Sequence, residues 1–290
     1  MVKARALCVL ALGLGIALGS VRHDAPAPEP MHAGGYVVLA ADFHVHGWPD
    51  GIPPWDAVRE AARRRLDVVA LTSHNAMTGW RLWTDAPWRP ETHVLVLPGE
   101  ELTSVGYHMA LVGIHETVRW RQRAASAAAA AHAQGAIAIL AHPAGVAFRR
   151  LVTDADLAAV DGIEVAHPET LRRQRFRAAY QRALALKPTI AAIGSSDFHY
   201  FAPIGLSRTY VFALAATSEG VLDAIRAGRT VACDGAGETT GPPALARVVD
   251  ERCHADATLP PLGDNAFARA GAVLSWSALA ALVLLGASDE

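Results

Sequence analysis

From Tyr36 to Gly235 the chain alternates, and that alternation narrows the fold more than any other feature. Short apolar runs, among them "YVVLAADFHVH", "DVVALTSHN", "AIAILAHP" and "TIAAIGSSDFH", are strand-like. Between them lie helix-like stretches such as "PPWDAVREAARRRL", "VRWRQRAASAAAAAHAQ" and "TLRRQRFRAAYQRALALK". Strands that are apolar along most of their length are covered on both faces, which in such a chain means parallel strands flanked by helices. About seven units of this kind predict a TIM-like α/β barrel or a close variant. A doubly wound open sheet is the alternative, but no Gly-x-Gly-x-x-Gly loop follows the first strand.

The ends read differently. Residues 1–20 place Lys3 and Arg5 before an apolar run closed by Ala17 and Gly19, a signal-peptide pattern. Export to the periplasm or the cell surface follows; an uncleaved N-terminal anchor is the alternative. Residues 21–35 read as a linker, 36–235 as the folded domain, and 236–269 as a second, Gly/Pro-rich linker. Residues 270–287, "AGAVLSWSALAALVLLGA", carry no charge and no polar stripe, and predict a C-terminal membrane anchor. Cys233 and Cys253 form an even pair outside the leader, open to a disulfide or to two free thiols. With 290 residues, 52% of them hydrophobic, the chain can bury a sizeable core. A formal net charge of −2 leaves no basic excess of the kind nucleic acid would require.

Polar residues gather where strands should end. His44 and His46 close the first strand, with Asp42 before them and Asp50 after. His74 closes the second, Glu100 and Glu101 the next, and His108 lies on the strand that follows. His142 ends "AIAILAHP", Glu164 and His167 lie in "GIEVAHP", and Asp197 and His199 end "AIGSSDFH". In a parallel barrel the C-terminal strand ends share one face, so these residues converge on one pocket. Imidazoles and carboxylates together bind divalent metals, and N and O donors without thiolate suit Zn, Mn or Fe. His44 and His46 point the same way along a strand, and a carboxylate such as Glu101 can bridge two cations. Without a metal, so many acids and imidazoles would be costly to bury.

The segments "DFHVH…D", "TSHN", "PGEELTS", "YHMALVGI", "LAHP", "GIEV" and "GSSDFH" together resemble the PHP (polymerase and histidinol phosphatase) superfamily of metallohydrolases, over Tyr36 to Ala232. The resemblance implies a distorted (β/α)7 barrel holding two or three divalent ions (Mn, Fe or Zn). By motif, His44, His46, Glu101 and Asp197 would hold one ion, and Glu101 would bridge to a second held by His108 and His142. Asp50, His74 and His199 would hold a third. Glu101 fits the Gly-x-Glu pattern, with Glu100 second. A metal-bound water held by Glu101, Asp197 and His142 would be the nucleophile. Asp42 and Glu164 would stand behind the ligands, Asp42 orienting a histidine. The gap before Asp50 is shorter than the family's usual spacing, and "AHP" follows "GIEV" where the family often has Asn, which puts His167 at the substrate.

The chemistry implied is metal-assisted hydrolysis of a small-molecule phosphate ester. Arg149 follows the "AHP" strand and is placed to bind the phosphate. Hydrolysis of carboxylic or carbamic esters or amides on the same metals is the alternative. The amidohydrolase class also opens on His-x-His, but many of its members bridge their metals with a strand-end lysine, and Lys187 closes a helix pattern. A binding protein that keeps the barrel without catalysis would not need the full ligand set.

Overall fold

The computed structural model describes residues 2–19, 29–87, 89–200, 203–259 and 266–287. The predicted cleavage point at Ser20, most of the 21–35 linker and residues 260–265 lie outside the described residues. The chain divides into two units: residues 26–259, and the two termini, 1–25 with 260–290.

The larger unit is a nearly closed, barrel-like sheet. Its strands are β1 (Met31–Ala33), β2 (Tyr36–Val45), β3 (Val68–Leu71), β4 (Leu95–Ser104), β5 (Tyr107–Val112), β6 (Ile137–Ala141), β7 (Gly162–Ala166), β8 (Ala191–Gly194), β9 (Arg208–Ala213), β10 (Thr230–Cys233) and β11 (Thr239–Thr240). They run in the order β11-β10-β9-β2-β3-β4-β5-β6-β7-β8, with β1 paired to β2. The helices are α1 (Val2–Gly19), α2 (Pro54–Arg63), α3 (Thr78–Asp85), α4 (Ala124–His132), α5 (Val146–Leu151), α6 (Asp154–Ala159), α7 (Arg173–Leu186), α8 (Ser218–Arg226), α9 (Pro243–Ala257) and α10 (Ala266–Ala287). This is the TIM-like barrel that the alternation predicts, in the distorted form that the resemblance implies.

The distortion lies in β5 and β9. Pairs β2–β3, β3–β4, β6–β7 and β7–β8 are parallel, but β5 runs antiparallel to both β4 and β6, and β9 antiparallel to β2. A two-residue turn at Val105 and Gly106 makes β4–β5 a hairpin, with Ser104 opposite Tyr107. Gly106 sits at φ +93°, a backbone that glycine adopts without strain. The open edge is drawn shut near β8. Thr209 Oγ1 accepts the Gly194 N–H and donates to the Gly194 carbonyl, at 2.9 and 2.8 Å. The His46 N–H donates to the Phe198 carbonyl at 2.9 Å. A Cβ at Gly194 would stand 2.3 Å from the Arg208 carbonyl oxygen, so only glycine lets these segments meet.

Phe43, Val68, Ala70, Leu97, Ile139, Ile193 and Val211, drawn from six strands, form one buried cluster. Each fully buried Phe, Leu, Ile or Val side chain contributes about 1.5–3 kcal/mol. The helices pack their own apolar faces outside. α2 opens with a proline in its first turn and buries Ala57, Val58 and Ala61. α6 carries a capping box, in which the Thr153 side chain accepts from the Asp156 N–H and Asp156 reaches back to Thr153.

Two sequence expectations are corrected here. Residues 236–269 are not simply a linker: they contain β11 and α9, and α9 is part of the barrel unit. A disulfide joins Cys233 at the end of β10 to Cys253 on α9, which settles the choice between paired and free thiols. The 21–35 linker likewise ends in β1, paired to β2. In the terminal unit, α1 and α10 pack together, and Arg5 Nη2 donates to the Leu285 carbonyl at 2.9 Å. Among the described residues no helix is long and apolar enough to cross a membrane, so the anchor expected at 270–287 gains no support.

Candidate metal centre

The strand ends bring their imidazoles and carboxylates to one place, and Glu101 is its hub. Its two oxygens divide five histidines between them. Oε1 lies 2.7 Å from His108 Nδ1, 3.1 Å from His142 Nε2 and 3.4 Å from His44 Nε2. Oε2 lies 2.6 Å from His74 Nδ1 and 3.5 Å from His46 Nε2. Alternation along β4 decides between the two glutamates. Glu101 faces this cluster, while Glu100 turns away and accepts the Val118 N–H at 2.7 Å. Burial pushes the Glu100 carboxyl up to about 7.

His108 reaches the cluster because β5 runs backwards. It stands near the start of its strand, opposite Thr103 and Ala141, and so beside the C-terminal ends of β4 and β6. A parallel strand would have carried it to the other end of the barrel.

Asp197 is the second anchor. Its Oδ1 is 3.2 Å from His44 Nε2 and 3.5 Å from His46 Nε2, and its Oδ2 is 3.3 Å from His167 Nε2. Asp197 and His142 both have positive φ, +48° and +29°. Such backbone is strained for residues with a Cβ and recurs where side chains are re-aimed into sites.

Behind the cluster, Glu164 fixes His44. The His44 Nδ1–H donates to Glu164 Oε1 at 2.8 Å, which turns Nε2 toward Glu101 and Asp197. Glu164 Oε2 also accepts the His142 backbone N–H at 2.7 Å. Asp42 plays a different part from the one predicted. Its carboxylate holds backbone rather than a ring, accepting from the N–H groups of His44, Ser196 and Gly205 at 3.2, 3.1 and 2.8 Å.

Among the described residues, three groups could each surround an ion: His44 with His46 and Asp197; His44 with Glu101 and His142; and His46 with His74 and His199. Asp50 belongs to none of them. Its carboxylate accepts the His74 backbone N–H at 3.2 Å, and His46 stands where Asp50 was expected. His74 Nε2 faces His199 Nε2 at 3.3 Å, and the His46 and His199 rings stack at 3.9 Å. Thr103, two residues beyond Glu101 on the same strand face, meets His74 Nδ1 at 2.7 Å. The sequence reading missed it, although "EELTS" puts it at that spacing.

The residues fit divalent cations. His44 Nε2, both ring nitrogens of His46, Glu101 Oε2 and Asp197 Oδ1 are buried without a hydrogen-bond partner. Such atoms are expensive to bury unless something satisfies them. Bonds of about 2.0–2.2 Å to one ion leave neighbouring ligand atoms roughly 3–3.5 Å apart, the range seen around His44, His46 and Asp197. Protonation follows the same geometry. Burial lowers the His46 pKa to about 4, so its ring is neutral and free to ligate. Burial also works against the His44 cation, but Asp197, Glu101 and Glu164 outweigh it and hold that pKa well above the usual imidazole value. Burial disfavours the Asp197 and Glu101 anions too, but the surrounding imidazoles hold both carboxyls well below their ordinary range.

A cleft of about 260 Å³ opens beside His108 and His142, lined also by Ser104, Tyr107, Phe148 and Arg172. His167 lies beside Asp197, against the Phe176 ring. Arg149 is exposed on α5 and donates to the Ala144 carbonyl at 3.3 Å. The sequence reading did not single out Arg172, one of several arginines in "LRRQRFR".

No protein-family model matches the chain, and no curated protein matches it. Solved structures do. A two-domain protein from Bacteroides vulgatus ATCC 8482, containing a predicted PHP-like metal-dependent phosphoesterase, is similar at 24% identity with a TM-score of 0.58, over 80% of this chain and 74% of its own. PsfC from Pseudomonas syringae PB-5123 is similar at 16% identity with a TM-score of 0.51, over 76% of this chain and 98% of its own. The chain shares the fold of these proteins, a barrel of the kind found in the PHP-like protein.

Proposed function

We propose that this PHP-fold chain is a metal-dependent hydrolase whose substrates are small-molecule phosphate esters. One observation carries the reading. His44 Nε2, His46 Nε2 and Asp197 Oδ1 are buried without hydrogen-bond partners, and both ring nitrogens face the carboxylate oxygen at 3.2–3.5 Å. Divalent cations held there would lower the pKa of a coordinated water and polarise the phosphoryl oxygen. The chain's own groups do the rest. Glu164 keeps the His44 ring in one tautomer, Asp42 ties the β2 end to the Ser196 loop, and His167 stands beside Asp197 at the substrate side.

The ligand roles are proposed as the geometry groups them: Glu101 spans the centre, and His46 rather than Asp50 joins His74 and His199. Residues 1–20 are proposed as an export signal, and the disulfide, at home in oxidising compartments, supports that reading.

The test is metal content and turnover of the full chain. Elemental analysis should find two or three equivalents of Mn, Fe or Zn. A panel of phosphomonoesters, phosphodiesters and carboxylic esters, assayed with each metal, should release phosphate or alcohol from the phosphoesters. A protein that binds no divalent metal would overturn the reading, and turnover of carboxylic esters alone would reassign the substrate.

A further inference from the structure

Among the described residues, β7 sends no side chain into any of the three ion-binding groups, yet Glu164 lies on it and His167 follows directly after it. Glu164 fixes His44. His167 is buried at 8% exposure, its ring packed on Phe176 with centroids 5.4 Å apart.

The two nitrogens of that ring are committed differently. The Glu169 backbone N–H donates to His167 Nδ1 at 3.0 Å. A backbone N–H only donates, so Nδ1 presents a lone pair and carries no proton. The ring is therefore neutral, with its proton on Nε2. The sequence "HPE" encodes the turn. Pro168 steers His167 away from helical backbone, and the N–H two residues on folds back to the side chain, as in an Asx turn.

Nε2 faces Asp197 Oδ2 at 3.3 Å and donates to it. That leaves the ring no lone pair for a cation. It also makes the two Asp197 oxygens unlike. Oδ2 receives the His167 proton, while Oδ1 is buried without a hydrogen-bond partner, 3.2 Å from His44 Nε2 and 3.5 Å from His46 Nε2. His142 Nε2 lies 3.9 Å from Oδ2, too far to replace His167 as donor. A carboxylate tied by one oxygen offers the other in a fixed direction; an untied one turns freely or binds through both. The sequence puts His167 at the substrate, but this geometry sends its proton to Asp197.

We propose that His167 is a positioning residue for Asp197: the Glu169 N–H sets its tautomer, and its Nε2–H ties Asp197 Oδ2 so that Oδ1 serves the ion shared with His44 and His46. With Glu164 behind His44, this makes the end of β7 the support for ligands carried by β2 and by the loop after β8. The proposal rests on the cluster being a metal centre, not on what the protein hydrolyses.

The test uses the full chain labelled with ¹⁵N-histidine, stripped and then loaded with Zn. Long-range ¹H–¹⁵N spectra, with the His167 signals assigned by their absence from His167→Gln, should show a neutral ring protonated at Nε2 in both states. The Nδ1–H tautomer, or a zinc-bound nitrogen on this ring, would overturn the proposal. In chelator competition, His167→Leu should weaken zinc binding by about 10–100-fold. His167→Gln, whose amide nitrogen reaches about as far as Nε2, should recover most of that loss. Wild-type affinity in His167→Leu, with KM raised instead, would place the proton on the substrate and overturn the positioning role. The expected tautomer and zinc affinities in a protein that turns over no phosphoester would sink the hydrolase reading and leave the role of His167 standing.

Discussion

The barrel buries two polar clusters, and they are built on opposite plans. One is the imidazole and carboxylate cluster around Glu101. The other sits between β9 and α9. There, buried Arg208 donates from Nε to the Gly205 carbonyl at 2.9 Å and from Nη1 to the Arg64 carbonyl at 3.0 Å, and meets Asp256 at 3.1 Å. Tyr210 Oη donates to the same Asp256 oxygen at 2.8 Å, and Arg64 Nη1 donates to the Leu259 carbonyl at 2.6 Å. The second cluster is built on opposite charges: Arg208 and Tyr210 both meet the Asp256 carboxylate, although Arg208 Nη2 is buried without a hydrogen-bond partner. The first crowds ring nitrogens and carboxylates across short gaps, and several of their atoms are buried without a hydrogen-bond partner. Burial and polarity alone do not mark a site. What marks it is the convergence of side chains whose ligand atoms could all surround one ion.

Exchanging one residue in each cluster separates function from stability, and these are the largest effects expected. His44→Ala removes a side chain shared by two of the three ligand groups. Turnover should fall by at least about a thousandfold, the several kcal/mol a metal centre supplies, with metal content reduced and the far-UV spectrum unchanged. Asp256→Ala leaves the Arg208 guanidinium buried without its carboxylate and should cost about 3–5 kcal/mol of stability. Its kcat per folded molecule should stay at the wild-type value. If His44→Ala unfolded the chain, or Asp256→Ala emptied it of metal, the division of labour between the clusters would be wrong.

The clusters should also part company with pH. In metal-stripped protein the carboxylates hold the His44 pKa above its ordinary value. A raised cationic pKa adds stability that is complete below about pH 6.5, the unfolded value, and is lost as pH rises through the folded value. Thermal unfolding of the stripped protein should therefore show falling stability on the alkaline side of neutrality. His44→Asn should flatten that fall, and Asp256→Ala should leave it in place. Metal loading displaces the same proton, so uptake should release acid and strengthen as pH rises. A stripped protein equally stable at pH 6 and 9 would break the comparison here.

Glu164→Gln is a smaller step. It keeps the shape but replaces the carboxylate that receives the His44 Nδ1–H at 2.8 Å. Loss of such a partner lowers metal affinity by about 10–100-fold. Competition against a chelator should read that loss, and unchanged affinity would mean Glu164 only fills space.

The two clusters were unequally legible. Strand-end histidines announce themselves because they close long apolar runs, so His44, His46, His74, His142 and Asp197 stand out from pattern alone. Pattern could not say that β5 reverses, although the turn in "TSVGY" carries the signal in Gly106. Nor could it place Asp50, whose distance from the ligands depends on the loop between Gly47 and Gly51. The second cluster escaped notice for another reason. Prolines and glycines from Gly235 to Pro243 read as linker, yet Pro at a helix start is a favoured opening. Val249, Cys253 and Asp256 then follow at helical spacing and are all buried.

The smallest change tests whether the clusters are independent at all. Gly205 joins them: its N–H donates to Asp42, which also holds the His44 backbone, and its carbonyl accepts from Arg208 Nε. Tyr210→Phe deletes one hydroxyl that donates to Asp256 and should cost about 1 kcal/mol, the net worth of a typical hydrogen bond. Arg208 keeps Asp256 and the Gly205 carbonyl in that variant, so Asp42 and His44 should not move. Chemical unfolding should show the loss, while chelator competition should give wild-type metal affinity. A shift in affinity beyond about threefold would mean that strain in the Asp256 cluster reaches the Glu101 cluster through Gly205, and the peptide at Gly205 would then be the element to alter next.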